Sequence, residues 1–208
     1  MKIGIIGAGM IGATTARLFV KAGHEVAISN SRGPESLREL EKELGPGARA
    51  MTVADAARWG EVVLLAVPWR SPGALPSADA VAGKIVIDAM NPYGEGGTLL
   101  DLPATTSSEE TRKRLPTARL VKAFNTIWFK HLAERGRPDL PAEDRHAIFV
   151  AGDDELAKRV VMNLIDDIGF GAVDTGSLAE GGRRQQPDTA LYNKVMTVRE
   201  ARALARWA

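Results

Sequence analysis

The 208-residue chain carries 27 basic and 26 acidic side chains for a formal net charge of +1, with 45% hydrophobic and 25% charged residues, the composition of an ordinary globular protein with apolar material enough for a full core. That balance gives no drive toward nucleic acid or an anionic membrane. The absence of cysteine excludes disulfides, thiolate metal sites, iron–sulfur clusters and cysteine nucleophiles, and His24, His131 and His146 are too dispersed to suggest a histidine metal centre.

Short apolar runs alternate with stretches of helical spacing, the pattern of a parallel sheet covered by helices. The sequence predicts a strand over Lys2 to Ile6, a helix over Ile11 to Ala22 followed by Gly23, and a strand over Glu25 to Ser29. A helix over Pro34 to Leu44 comes next, with Pro34 suited to its first turn and Gly45 just past its end. A weak strand near Arg49 to Thr52 leads to a helix over Val53 to Arg58 and strands over Val62 to Val67 and Ile85 to Ala89. Asn91 to Thr106, with Pro92, Gly94, Gly96, Gly97 and Pro103, reads as a loop before a helix over Ser107 to Arg114. Strands over Leu120 to Phe124 and Ala147 to Ala151 precede a helix over Asp153 to Asp166, whose two leading aspartates favour a helix N-terminus. A strand over Ala172 to Thr175, a loop over Gly176 to Pro187 and a helix over Thr189 to Ala205 close the chain.

The β-branched, two-sided apolar character of these strands predicts burial on both faces. The expected architecture is a single domain over residues 1–208: an α/β, doubly wound, mostly parallel Rossmann sheet, extended by the last strands and a C-terminal helix. Its core is expected over 1–125, with an extension over 126–208 completing an acceptor site. The chain opens on the strand-like MKIGII without a signal-peptide pattern, and no apolar run approaches the ~20 residues of a membrane helix, so the expected location is the cytoplasm.

The sharpest motif is GAGMIG, Gly7 to Gly12, a GxGxxG placed directly after a strand and directly before a helix. In such a unit Gly7 permits the tight turn, Gly9 lets the backbone approach a pyrophosphate, and Gly12 lets helix and strand pack closely, with Ala8, Met10 and Ile11 completing the loop. The end of the second strand decides the coenzyme. An NAD-specific unit places Asp or Glu there to bind ribose hydroxyls, but this chain reads HEVAISNSRG and offers Asn30, Ser31 and Arg32. A guanidinium beside hydroxyl and amide groups binds a 2′-phosphate that a carboxylate would repel, so NADP(H) is the expected coenzyme; the plainer reading of Arg32 is a solvated loop arginine.

Open parallel sheets bind ligands beyond the carboxyl ends of their strands. Those ends carry AVPW (Ala66, Val67, Pro68, Trp69), DAMNP with Met90, Asn91 and Pro92, and KAFNTIW with Asn125, Thr126, Ile127 and Trp128. The first two groups are candidates for the coenzyme and the third for its reaction partner. The alternative readings are aromatic lids on the core for Trp69 and Trp128 and turn residues for Asn91 and Asn125. No Tyr-x-x-x-Lys, no Ser–His–acid set and no evident general acid is present in these loops. Reduction of a carbonyl or imine normally needs a proton donor, whereas a flavin or deazaflavin takes hydride by stacking on the nicotinamide, so the small-molecule redox acceptor is expected to be flavin-like.

GAGMIG, SNSR, AVPW, NP and KAFNTI, with AIFVAGDDELAKRVV and DTGSL after them, resemble the NADPH:coenzyme F420 oxidoreductase family over about Met1 to Leu178. The same motifs are similar to the NADPH domain of membrane ferric reductases. The resemblance implies NADP(H) with coenzyme F420, FMN or FAD as acceptor, the pyrophosphate on Gly7 to Gly12, the 2′-phosphate on Ser31 and Arg32, and a homodimer. It also implies that Ala66 to Trp69, Met90 to Pro92 and Asn125 to Ile127 border the nicotinamide and its acceptor. Asn125 stands where the deazaflavin enzymes commonly carry His, and in this it is more like the ferric reductase domains.

Gly181 to Ala208 holds six basic residues (Arg183, Arg184, Lys194, Arg199, Arg202, Arg206) against Asp188 and Glu200, a local +4 that reads either as an attraction for an acidic acceptor or as a solvated helix face. Two further functions stay open. One is reduction of a small imine or hydroxy acid, for which Lys194 beside Asn193 is the one suitable feature. The other is a non-catalytic NADPH-sensing module.

Overall fold

Alternation along the strands assigns the two faces of one eight-stranded sheet. In the computed structural model, which describes residues 1–205, the strands are β1 (Lys2–Ile6), β2 (Glu25–Ser29), β3 (Ala48–Ala50), β4 (Val62–Leu65), β5 (Ile85–Asp88), β6 (Arg119–Ala123), β7 (Ala147–Gly152) and β8 (Gly171–Gly176). Ile3, Ile5, Val26, Ile28, Leu64, Ile87 and Val121 bury one face, and Ile6, Ala27, Val63, Leu65, Val86 and Leu120 the other. The spatial order is β3-β2-β1-β4-β5-β6-β7-β8. The first six strands pair in parallel in the order of a dinucleotide-binding sheet, while β7 runs antiparallel to β6 and parallel to β8. The α/β, doubly wound, mostly parallel reading therefore holds.

The helices are α1 (Met10–Lys21), α2 (Arg38–Leu44), α3 (Val53–Trp59), α4 (Ser107–Arg114), α5 (Phe129–Glu134), α6 (Glu155–Asp167), α7 (Glu180–Arg184) and α8 (Val198–Ala205). Their starts follow side-chain chemistry. Thr106 and Glu109 form a reciprocal capping box on α4: Thr106 Oγ1 accepts from Glu109 N at 3.2 Å and Glu109 Oε2 from Thr106 N at 2.7 Å. Asp154 caps α6, accepting from Leu156 N and Ala157 N at 3.0 Å. Arg119 grips the same carboxylate from β6 at 2.6 and 3.0 Å, which together with those backbone bonds holds it well below the usual carboxylate range.

Three expectations need correction. The Pro34 to Leu44 helix is a 3₁₀ turn over Pro34–Leu37 followed by α2. The Thr189 to Ala205 helix shrinks to α8, because Asp188 and Asn193 take positive φ (65° and 54°) and Asn193 N donates to Thr126 O at 2.8 Å, which ties residues 189–193 across the sheet end instead of coiling them. The Gly176 to Pro187 loop contains α7. There a Cβ on Gly181 would stand 2.7 Å from Thr175 backbone atoms, so this glycine serves close helix–strand approach rather than a turn. α5 was not foreseen; it follows directly on Trp128. Of the basic tail, Arg199 and Arg202 pair with Asp144 and Glu143, and Arg206 lies outside the described residues. No helix among the described residues is long and apolar enough to cross a membrane.

Candidate functional site

The site grows from the turn between β1 and α1. Gly7 has φ +109°, a conformation an L side chain rarely adopts, and its N–H donates to Ser29 O at 2.9 Å. A Cβ on Gly12 would stand 1.8 Å from Gly7 O, so the first turn of α1 can lie on the loop only with glycine at both places. Gly9 differs: a Cβ there would meet nothing within 4 Å, because that backbone faces open space. The first-turn N–H groups of α1 lack helical carbonyl partners and carry the positive end of the helix dipole. The loop therefore presents an anion cradle with its surface cleared at Gly9.

On one side of the loop is a cavity of about 630 Å³, lined by Gly7, Ala8, Gly9, Asn30, Ser31, Arg32, Ala66, Val67 and Pro68, with Ile6, Val53, Ser71, Gly73 and Ala74 completing the wall. Nine candidates taken from three separate sequence motifs thus meet here. Among the described residues no carboxylate lines the cavity, and Arg32 is its one charged side chain. Asn30 shapes the turn that offers it, accepting from Arg32 N at 2.9 Å while its amide donates to Ser36 Oγ at 2.8 Å. Ser29, at the strand end, is buried and spends its hydroxyl on Ile5 O at 3.0 Å.

On the other side is a smaller cleft of about 210 Å³, lined by Met10, Ile11, Asn91, Asn125, Ile127 and Trp128 together with Ala89, Phe124, Phe129, Tyr192 and Asn193. Asn91 and Asn125 are clasped: Asn91 Nδ2 donates to Asn125 O at 2.8 Å, and Asn125 Nδ2 to Asn91 Oδ1 at 3.0 Å and to Gln185 O at 2.7 Å. The turn that brings them together is strained, since the fully buried Phe124 has φ +65°. Trp128, 43% exposed, stands edge-on to Phe129 and His131 and makes a flat aromatic rim.

Beneath both asparagines lies an ion pair that the sequence motifs contained but did not distinguish. Lys122 and Asp88 are wholly buried with Nζ and Oδ2 3.8 Å apart. Lys122 donates to Met90 O at 3.0 Å and Ser107 Oγ at 3.3 Å, and Asp88 accepts from Met90 N at 2.9 Å and Ser108 Oγ at 2.7 Å. Burial lowers the Lys122 pKa and the Asp88 charge pulls it back up. The pair clamps the Met90 peptide, and with it the neighbouring Asn91.

Five candidates do not line either space. Gly12 packs on the loop, Met90 enters the core, Pro92 is buried, and Thr126 is buried with its carbonyl held by Asn193 N. Trp69 is turned toward the start of α4, its Nε1 donating to Ser107 O at 3.2 Å. Lys194 is exposed and stands outside the cleft lining, although its neighbour Asn193 is part of it. Tyr192 carried no sequence signal, because it fell within the helix expected over Thr189 to Ala205.

Residues 2–92 match the family described as NADP oxidoreductase, coenzyme F420-dependent. Metalloreductase STEAP3 of Rattus norvegicus is 30% identical over 181 residues, 86% of this chain; the chain spans 34% of that protein's length. Among solved structures, the hypothetical protein SMa0349 of Sinorhizobium meliloti is 34% identical with a TM-score of 0.83, over 95% of both chains. A protein of Arthrobacter sp. FB24, described as an F420-dependent NADP reductase, is 29% identical with a TM-score of 0.76, over 95% of this chain and 99% of its own.

Proposed function

We propose that the protein, whose residues 2–92 match the family described as NADP oxidoreductase, coenzyme F420-dependent, transfers hydride between NADP(H) and a planar deazaflavin or flavin acceptor. The observation that carries this reading is the pair of spaces flanking one helix start. A cavity that among the described residues holds no carboxylate and one charged side chain, Arg32, lies on one side, and an amide- and aromatic-lined cleft lies on the other.

In this reading the first-turn N–H groups of α1 hold the pyrophosphate, and Gly9, bare of side chain, leaves room for it. Asn30, Ser31 and Arg32 hold the 2′-phosphate by charge-assisted hydrogen bonds. When bound, the reduced nicotinamide supplies the hydride. The Asn91–Asn125 clasp, fixed from below by Asp88 and Lys122, sets the floor of the acceptor cleft, and the Trp128 rim favours a flat ring over a small polar acid. Lys194, the feature that suited reduction of a small imine, lies outside the cleft lining.

The test is an acceptor panel of coenzyme F420, FMN, FAD and riboflavin, followed by loss of the NADPH absorbance band. Turnover with a ring acceptor supports the assignment. Tight NADPH binding without turnover on any of them contradicts it and favours a sensing role.

A further inference from the structure

Resting on the reading above, we propose that Tyr192 is the hydrogen-bond and proton donor to the acceptor, supported by Tyr93. Of the described residues lining the acceptor-side cleft, Tyr192 alone has an ionisable side chain. The segment that brings it there is tied at three points to the sheet end: Gln185 O accepts from Asn125 Nδ2 at 2.7 Å, Asn193 N donates to Thr126 O at 2.8 Å, and the Tyr192 hydroxyl lies 3.1 Å from the Tyr93 hydroxyl. Tyr192 is therefore a fixed wall of the cleft.

A pair of hydroxyls uses one of its two protons internally, which leaves the other O–H to donate to a further partner. An acceptor with a ring lone pair selects the arrangement in which Tyr93 donates to Tyr192 and Tyr192 donates to the acceptor. Reduction adds to the acceptor one hydride, with both electrons, from the reduced nicotinamide and one proton from the Tyr192 hydroxyl. The nicotinamide is left oxidised, and the Tyr192 oxygen, still held by Tyr93, regains its proton from water. Tyr93 thus acts through Tyr192 as a positioning residue.

The test compares Tyr192→Phe and Tyr93→Phe. NADPH affinity, read by NADPH fluorescence, is expected to stay within about twofold in both, since neither residue lines the coenzyme cavity. Binding of oxidised FMN to the NADP⁺-loaded protein is expected to weaken roughly two- to tenfold in Tyr192→Phe, the worth of one hydrogen bond. Its turnover is expected to fall by about 100-fold, the low end for a positioned proton donor. Tyr93→Phe is expected to keep FMN binding and lose about tenfold in turnover, as support for that donor is removed. If the two tyrosines only latch the segment, both variants break the same contact and behave alike, and that result overturns the proposal, as does undiminished turnover in Tyr192→Phe. Absence of turnover by the unmodified protein overturns the functional reading itself, and this inference with it.

Discussion

Replacing Lys122 by Met removes a buried ammonium and leaves the Asp88 carboxylate alone at zero exposure. Breaking a buried pair in this way costs about 3–5 kcal/mol. Asp88 keeps its bonds from Met90 N and Ser108 Oγ, which places the expected loss near the lower end, about 3 kcal/mol. For a domain of this size that corresponds to a melting temperature lower by roughly 10 °C. Changing Asp88→Asn in the same chain removes the stranded charge, so the double variant is expected to recover at least half of the loss, a coupling of about 1.5 kcal/mol or more. Urea and thermal melts of the two single variants and the double variant measure each quantity. Because Lys122 also holds Met90 O, next to Asn91, the single variant should lose acceptor turnover even at temperatures where it remains folded. A loss under about 1 kcal/mol for Lys122→Met, or single-variant losses that simply add in the double, would refute the reasoning that the pair is a mutually dependent clamp.

Arg32→Ala is expected to weaken NADPH binding by about 10–100-fold and to leave NADH within about twofold, as paired fluorescence titrations would report. Gly9→Ala should melt within about 0.5 kcal/mol of the unmodified protein, because its Cβ meets nothing, yet bind NADPH more weakly; Gly12→Ala should lose both stability and binding, because its Cβ would stand 1.8 Å from Gly7 O. His146 is pushed down to about 4 by burial, with Arg135 and His131 adding to the effect, so the unfolded chain takes up its proton first. Its contribution is complete above pH ~6.5 and is lost as pH falls from there toward 4, by about 3 kcal/mol at most and nearer 1–2 kcal/mol after solvent screening. Urea melts of His146→Gln should show a shallower decline across that window.

The parts of the molecule set by local chemistry were legible in the sequence. β1 and β2 fall on their apolar runs, and α4 begins after Thr106 and ends at Arg114 because a capping box and a basic last turn bracket it. The glycine loop and the Asn30 to Arg32 turn needed only their place after a strand. What was not legible depended on contacts distant in sequence. Asn193 forgoes helix to donate to Thr126, Gly181 and Gly182 sit in a helix because Thr175 crowds Gly181, and Trp69 turns to Ser107 rather than to either cavity. The same long-range tethering explains why the tyrosine pair went unseen: Tyr93 and Tyr192 are 99 residues apart and meet only at the sheet end.

The most direct measurement follows the hydrogen itself. NADPH deuterated at its transferable position, mixed with the protein and a 5-deazaflavin, should give a reduced acceptor that carries the deuterium on carbon, with none of it exchanged into water. Deuterium released to solvent, or NADPH left unoxidised beside a bound acceptor, would contradict direct hydride delivery across the cleft.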